Sequence, residues 1–153
     1  MTALRTEVAS LPELAGQEIG VSGWRRVDAP AVAAFADVTG DHQWIHLDAR
    51  RAADGPFGVP VAHGFLVLAL VPAMLDEIVE VTGVHHVLNK EVGKVRFLTP
   101  VRVGDRVRGR AVLRTARSRP DGHWETTYEV GVERESAPVQ ALRAAVTYLY
   151  RVA

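Results

Sequence analysis

The sequence predicts an α+β domain in which a curled antiparallel sheet wraps one long central helix. Residues 64–81 follow a helical pattern that is apolar nearly all round until Asp76, and a helix with no polar face has to be surrounded by protein. From Val84 onward the pattern switches to long extended segments at 84–100, 106–118, 124–135 and 139–152, separated by turn signals. The chain has 153 residues, enough for one domain with one core, so helix and strands must share it. One sheet rolled around one helix satisfies both halves. A face of the helix and the sheet edge stay uncovered in that arrangement, and a twofold partner is the economical cover.

Each element has its own signal. Residues 17–27 have weak strand character, with Gly20 and Gly23 interrupting. Asp28 offers an N-cap and Pro30 suits a first turn. The short helix that follows places Val32, Phe35 and Ala36 on one face, and Gly40 ends it. An Ala/Arg-rich turn or helix is expected at 49–53, and DGPFGVP (54–60) is a loop on glycine and proline grounds. Pro72 should kink the long helix or sit where the carbonyl it frees finds another partner. In 106–118, Arg106, Arg108, Arg110 and Arg114 share one parity while Val107, Ala111 and Leu113 share the other. PDGH (120–123) is a hairpin turn centred on Asp-Gly. The last segment, Ala-rich at first, ends in Val-Thr-Tyr-Leu-Tyr, which favours strand.

Composition narrows the function. Basic and acidic residues number 18 each, so no charge imbalance points to nucleic acid or a membrane surface. The chain has no cysteine, which removes disulfides, thiolate metal sites and a cysteine nucleophile, and fits a reducing cytoplasm. The first residues lack a long apolar segment and carry acids, unlike a signal peptide. The longest apolar run, Phe65 to Leu75, is too short to span a bilayer.

Residues 37–48 read DVTGDHQWIHLD. They set Asp41 and His46 five positions apart in a polar, glycine-containing stretch. A carboxylate and an imidazole can together grip one water and move its proton near neutral pH. Trp44 and Ile45, buried in the core, would anchor the loop so that both groups point into one pocket, and Trp44 would also line it. If the long helix starts at Gly64, that residue's N–H is free at the positive end of the helix dipole, and a glycine lets a ligand carbonyl come close.

The stretch FADVTGDHQWIHLDARRAADGPFGVPVAHGF resembles the motif of the MaoC-like, (R)-specific enoyl-CoA hydratases. Phe35, Gly40–Asp41, His46 and His63–Gly64 carry the likeness. KVRFLTPVRVGDRV (94–107) is similar to the family's later strand and Val-Gly-Asp turn, so the resemblance spans about residues 17 to 150. The commonest form of the motif has Asn-Pro where this chain has Gln43-Trp44, a variant that resembles the nodulation protein N-like subgroup; the Asp–His spacing is kept. The resemblance implies a single hot-dog domain with its core at about 17–152, and a homodimer. The implied activity is reversible hydration of a trans-2-enoyl thioester to the (R)-3-hydroxyacyl thioester. It implies no metal or redox cofactor, with coenzyme A thioester as substrate and an acyl carrier protein as another possible donor. Asp41, His46 and the Gly64 N–H would be catalytic. Trp44, His63, Phe65, Lys94 and Arg96 are candidate substrate contacts, His63 also by orienting its segment.

Other readings attach to the same residues. An Asp–His pair in a loop is often a structural contact. His42 and His46, four apart, form a possible metal set with Asp41 and His63, but the stretch reads as non-helical and no third ligand is fixed. Of His85 and His86, on alternate faces of a strand, one should be satisfied and one exposed. The Arg106/Arg108/Arg110/Arg114 row reads as a solvated sheet face, or else as a contact for the phosphates of coenzyme A or an acidic carrier, and Lys94 and Arg96 share that ambiguity. Phe35, Phe65 and Phe97 suit the core as well as an acyl channel. A hot-dog thioesterase, a non-catalytic thioester binder or subunit needing a second hot-dog partner, and a metal-dependent lyase are the rival functions.

Overall fold

A computed structural model describes residues 2–153. Five strands form the main antiparallel sheet in the order β2 (Glu18–Val21), β6 (Arg106–Ser118), β7 (His123–Arg134), β8 (Ala137–Val152) and β5 (Val84–Phe97), and the short β3 (Arg25–Arg26) also pairs with β6. The expected hairpin holds: Gly122 has φ +78°, and Arg119 N–H donates to the His123 carbonyl at 2.8 Å. Alternation along β6 works as its parity requires. Val107, Ala111 and Leu113 are fully buried, while the arginines between them stand on the outer face and pair with β7 carboxylates.

The central helix fills the inner face, but in two pieces. Helix α4 (Gly64–Ala69) and α5 (Val71–Ile78) meet at Leu70. Pro72 lies in the first turn of α5 and has no N–H to continue the ladder. Leu66, Val67, Val71, Met74, Leu75 and Ile78 pack into the core against Leu113, Tyr128, Val130 and Leu142. The helix also ends earlier than its apolar pattern implies. Val79–Thr82 is a strand, β4, pairing in parallel with β1 (Leu4–Glu7); its Val-Glu-Val-Thr sequence suits a pleated surface as well as a helix. Nor is the helix enclosed on every side, for Phe65 at its start is 68% exposed.

The core begins before Gln17. A 3₁₀ helix at Val8–Leu14 buries Val8 and Leu11, a segment too short to show periodicity. Helix α1 (Ala29–Thr39) is capped as expected: Asp28 Oδ1 accepts from Ala31 N–H at 3.0 Å, and Gly40 closes the helix at φ +78°. Next come α2 (Trp44–Leu47) and α3 (Ala49–Ala53). The 42–46 stretch is therefore partly helical, a single turn that local pattern cannot announce. No helix among the described residues is long and apolar enough to cross a membrane.

The outer face carries a ladder of ion pairs. Its most buried member is Glu125, which accepts from Lys90 at 2.6 Å, Arg117 at 2.5 Å and Arg119 at 2.6 Å. Hydrogen bonds from Lys90 and then Arg117 hold its carboxyl down at about 2, against burial, which opposes them. A carboxyl whose folded value is depressed stabilises the fold above its unfolded value of 4.5, and that contribution fades as pH falls toward 2. Thermal melts of wild type and Glu125→Gln should therefore differ at pH 6 and converge as the pH drops through 4 to 3.

Candidate active site

The opening loop is positioned from three sides. Asp41 follows directly on the Gly40 cap, and its carboxylate is exposed. His46 sits on α2 and is 8% exposed. Its Nδ1 lies 2.6 Å from the Val61 carbonyl. A carbonyl only accepts, so Nδ1 carries a proton, and in the neutral ring the lone pair is then on Nε2. Val61 N–H donates back to the Ile45 carbonyl at 3.0 Å, and Ala62 N–H donates to Val101 at 2.8 Å. The 60–62 segment thus ties α2 to the turn after β5.

His63 is the residue whose role the sequence shows least. It is 2% exposed and caps α4 through its extended backbone. Its Nε2 donates to the Asp41 carbonyl at 2.9 Å. Its ring stacks on His46 with centroids 3.8 Å apart, and Phe35 packs against it at 5.0 Å. One buried imidazole thereby links helix start, Asp41 backbone and His46 ring. A carboxylate oxygen of Asp41 and one nitrogen of each of His46 and His63 all lie within 4.8 Å of one another. This is also the only potential metal-ligand group among the described residues. The stacking argues against an ion there, because imidazole lone pairs lie in the ring plane and two nearly parallel planes 3.8 Å apart do not converge on one point. His42 turns away and meets Asp37 at 2.9 Å.

Gly64 opens α4. The first intrahelical bond of this turn runs from Val67 N–H to the His63 carbonyl, so the Gly64 N–H has no acceptor within the helix. Gly64 lines an apolar cavity of about 430 Å³ together with Ile45, His46, Phe65, Phe97 and Leu142. A second cavity of about 420 Å³, lined by Phe35, Thr39, Asp41, Phe65 and Leu68, adjoins it. Phe65 borders both; His46 lines the first cavity and Asp41 the second. Phe97 packs against Gly64 so closely that a Cβ there would lie 2.8 Å from its ring.

Several expected contacts lie elsewhere. Trp44 is half-buried, not a core residue. It packs outside the cavity under the Arg51 guanidinium, 4.3 Å away, and against Gly55. Ile45, not Trp44, reaches the cavity wall. His63 stands behind that wall. Lys94 and Arg96 are exposed and do not line the cavity, since strand alternation gives Phe97 the inward face. Phe65 and Phe97 are more than half exposed and border the cavity, so they are wall residues and not core. His85 and His86 are both exposed, their Nδ1 atoms 2.9 Å apart. What the sequence misses is the support: the Val61 carbonyl that sets the His46 tautomer, the His63 ring and the wall residue Phe57. The only advance signals were the His-Gly at 63–64 and the aromatic at position 97.

A sheet rolled around a central helix, with a carboxylate, two imidazoles and a backbone N–H without a helical acceptor gathered near the start of that helix, defines a hot-dog domain with a candidate site at its helix start. Comparison with known proteins makes the assignment specific: residues 11–134 match the family model described as MaoC like domain, and the chain belongs to that family, whose members include hydratases and dehydratases. It is 44% identical to 3-hydroxyacyl-thioester dehydratase Z of Mycobacterium tuberculosis over 85% of this chain and 86% of that protein. It is 45% identical to nodulation protein N of Rhizobium leguminosarum bv. viciae over 90% of this chain and 86% of that protein. Among solved structures, the (R)-hydratase of A. caviae superposes with a TM-score of 0.72 at 24% identity, covering 91% of this chain and 96% of that one, which speaks to the fold.

Proposed function

We propose that the protein catalyses (R)-specific hydration of trans-2-enoyl-CoA to (R)-3-hydroxyacyl-CoA, and the reverse dehydration. The observation that carries this reading is the approach of the Asp41 carboxylate to within 4.8 Å of the His46 imidazole, which lines an apolar cavity together with Gly64. A water donating hydrogen bonds to two acceptors spans about 4.5 Å between them, so one water fits between the pair. One acceptor takes a proton as the water oxygen attacks C3. The displaced electron pair moves onto the thioester oxygen, where the Gly64 N–H holds it. The enolate then collapses and C2 takes a proton, completing addition of H and OH across the double bond. The pair shares both proton transfers, one proton leaving the water and one reaching C2. No metal takes part. The acyl chain occupies the cavity walled by Ile45, Phe65, Phe97 and Leu142. The edge strand β5, with Val87, Leu88 and Val92 exposed, is the surface on which a second copy completes a homodimer.

Crotonyl-CoA tests this directly. Purified protein should remove the enoyl absorbance, release no free thiol, form the (R)-3-hydroxy product and keep its activity in a chelator. Thiol release would make it a thioesterase, and tight binding without turnover would make it a binder. A panel of longer enoyl chains then sets the acyl range.

A further inference from the structure

We propose that Arg96 and Arg143, facing each other across β5 and β8 with Lys94 alongside, hold the phosphates of coenzyme A. This rests on the enoyl-CoA reading above and names the anchor for the far end of that substrate. The register places Arg96 directly opposite Arg143, and like charges directly opposite on one sheet face repel. The rest of that face avoids such a conflict. Arg106 meets Glu135 at 3.0 Å, Arg108 meets Glu133 at 2.8 Å, Arg110 meets Glu133 at 2.7 Å and Glu18 at 2.6 Å, and Arg114 meets Glu129 at 2.8 Å. Arg143, by contrast, gives its Nε to the neutral Gln140 side chain at 2.6 Å, and Arg96 makes no ion pair or side-chain hydrogen bond among the described residues. Lys94 adds a third uncommitted cation from a left-handed backbone, φ 51°, within an irregularity of β5. Glu129, whose carboxyl is held low first by its bond to Arg114, also feels Lys94 and Arg143 through space. One committed carboxylate does not neutralise three further cations.

The patch has a route to the site. Phe97 and Leu142, the register pair next to Arg96 and Arg143, line the cavity beside Gly64. Alternation therefore puts the arginines on the opposite face of the sheet. There a groove of about 610 Å³ is lined by Trp24, Leu98, Arg134, Gln140 and Arg143; Arg96 is outside that lining and adjoins it as the register partner of Arg143. Leu98 borders both groove and cavity and follows the last residue of β5, so a flexible arm can pass the end of the strand at Leu98, away from the Val87, Leu88 and Val92 surface assigned to the second copy. Arg134, which also lines the groove, is already committed: its guanidinium pairs with Asp105 at 3.6 Å and donates to the Pro100 carbonyl at 2.8 Å. Glu133 and Glu135 line the same groove. A broad acidic protein surface would meet those carboxylates, whereas a phosphate needs only the local arginines, and this favours the coenzyme over a carrier protein.

Two thioesters with the same reacting end separate the outcomes: crotonyl-CoA, and crotonyl-pantetheine, which has no phosphate. In the full chain carrying Arg96→Gln and Arg143→Gln, KM for crotonyl-CoA should rise roughly tenfold to hundredfold, as charged hydrogen bonds are lost, with kcat retained. The gap between wild type and variant should close on crotonyl-pantetheine. Adenosine 3′,5′-bisphosphate should raise the melting temperature of wild type and not of the double variant. Equal losses on both thioesters, no change with crotonyl-CoA, or a defect confined to an enoyl group borne on a carrier protein would each overturn the proposal. If wild type turns over neither thioester, the hydratase reading fails on its own, and the bisphosphate melts still decide the phosphate site. The single variants serve if the double one folds poorly.

Discussion

Asp41→Asn and His46→Gln should each lower kcat/KM for an enoyl thioester by roughly 10²–10⁴-fold, the span a positioned acid or base contributes, while leaving the fold intact. Asp41 is exposed, and its backbone, not its carboxylate, receives the His63 bond. Asparagine keeps the shape and discards the charge that would take a proton. His46 is buried, but its structural bond runs to the Val61 carbonyl, and a glutamine amide can still donate to it. What glutamine lacks is the basic Nε2 lone pair. Groups that act on one water fail as a unit, so the double variant should be little worse than the poorer single one. Kinetics on crotonyl-CoA with melting curves of all three variants check this. Losses that multiply would mean the two residues act on different steps.

Gly64→Ala should cost roughly 100-fold or more in rate, on the scale of one lost oxyanion donor, with stability changed by no more than about 1 kcal/mol. The asymmetry follows from the surroundings. The new methyl would stand 2.8 Å from the Phe97 ring, in the approach to the N–H. Phe97 is 51% exposed, so the ring can swing aside at little cost to the fold, and alanine suits a helical position better than glycine does. The displaced ring and the methyl then both crowd the place where a thioester oxygen would sit. A variant that melts like wild type yet has lost turnover fits this account. One that keeps full turnover would remove Gly64 from the mechanism.

The strands and the helix caps were legible because they depend on local rules: parity along β6, Asp-Gly at the hairpin, Asp28 and Gly40 around α1. The exact end of the central helix was not, because the Val-Glu-Val-Thr run from Val79 carries no stop signal and becomes a strand only by pairing with β1, more than seventy residues away in sequence. The 3₁₀ segment at Val8–Leu14 was hidden for the same reason, its burial being set by tertiary contact. At the site, the motif offered Asp41, His46 and Gly64 as candidates, but not the contacts that hold them. The His46 tautomer is set by a carbonyl fifteen residues downstream, and the stack of His63 on His46 exists only in three dimensions. Trp44 went the other way: a large aromatic between two polar residues reads as an anchor, yet Arg51 and Gly55 claim it outside the cavity.

A crystal structure of the Asp41→Asn variant with an enoyl-CoA bound asks the central question most directly. The account predicts the thioester oxygen within hydrogen-bonding distance of the Gly64 N–H, C3 facing a water held by His46 Nε2 and the residue-41 side chain, and the acyl chain between Phe65 and Leu142. A thioester seated away from Gly64, or a C3 with no path to the His46 side of the cavity, would contradict it.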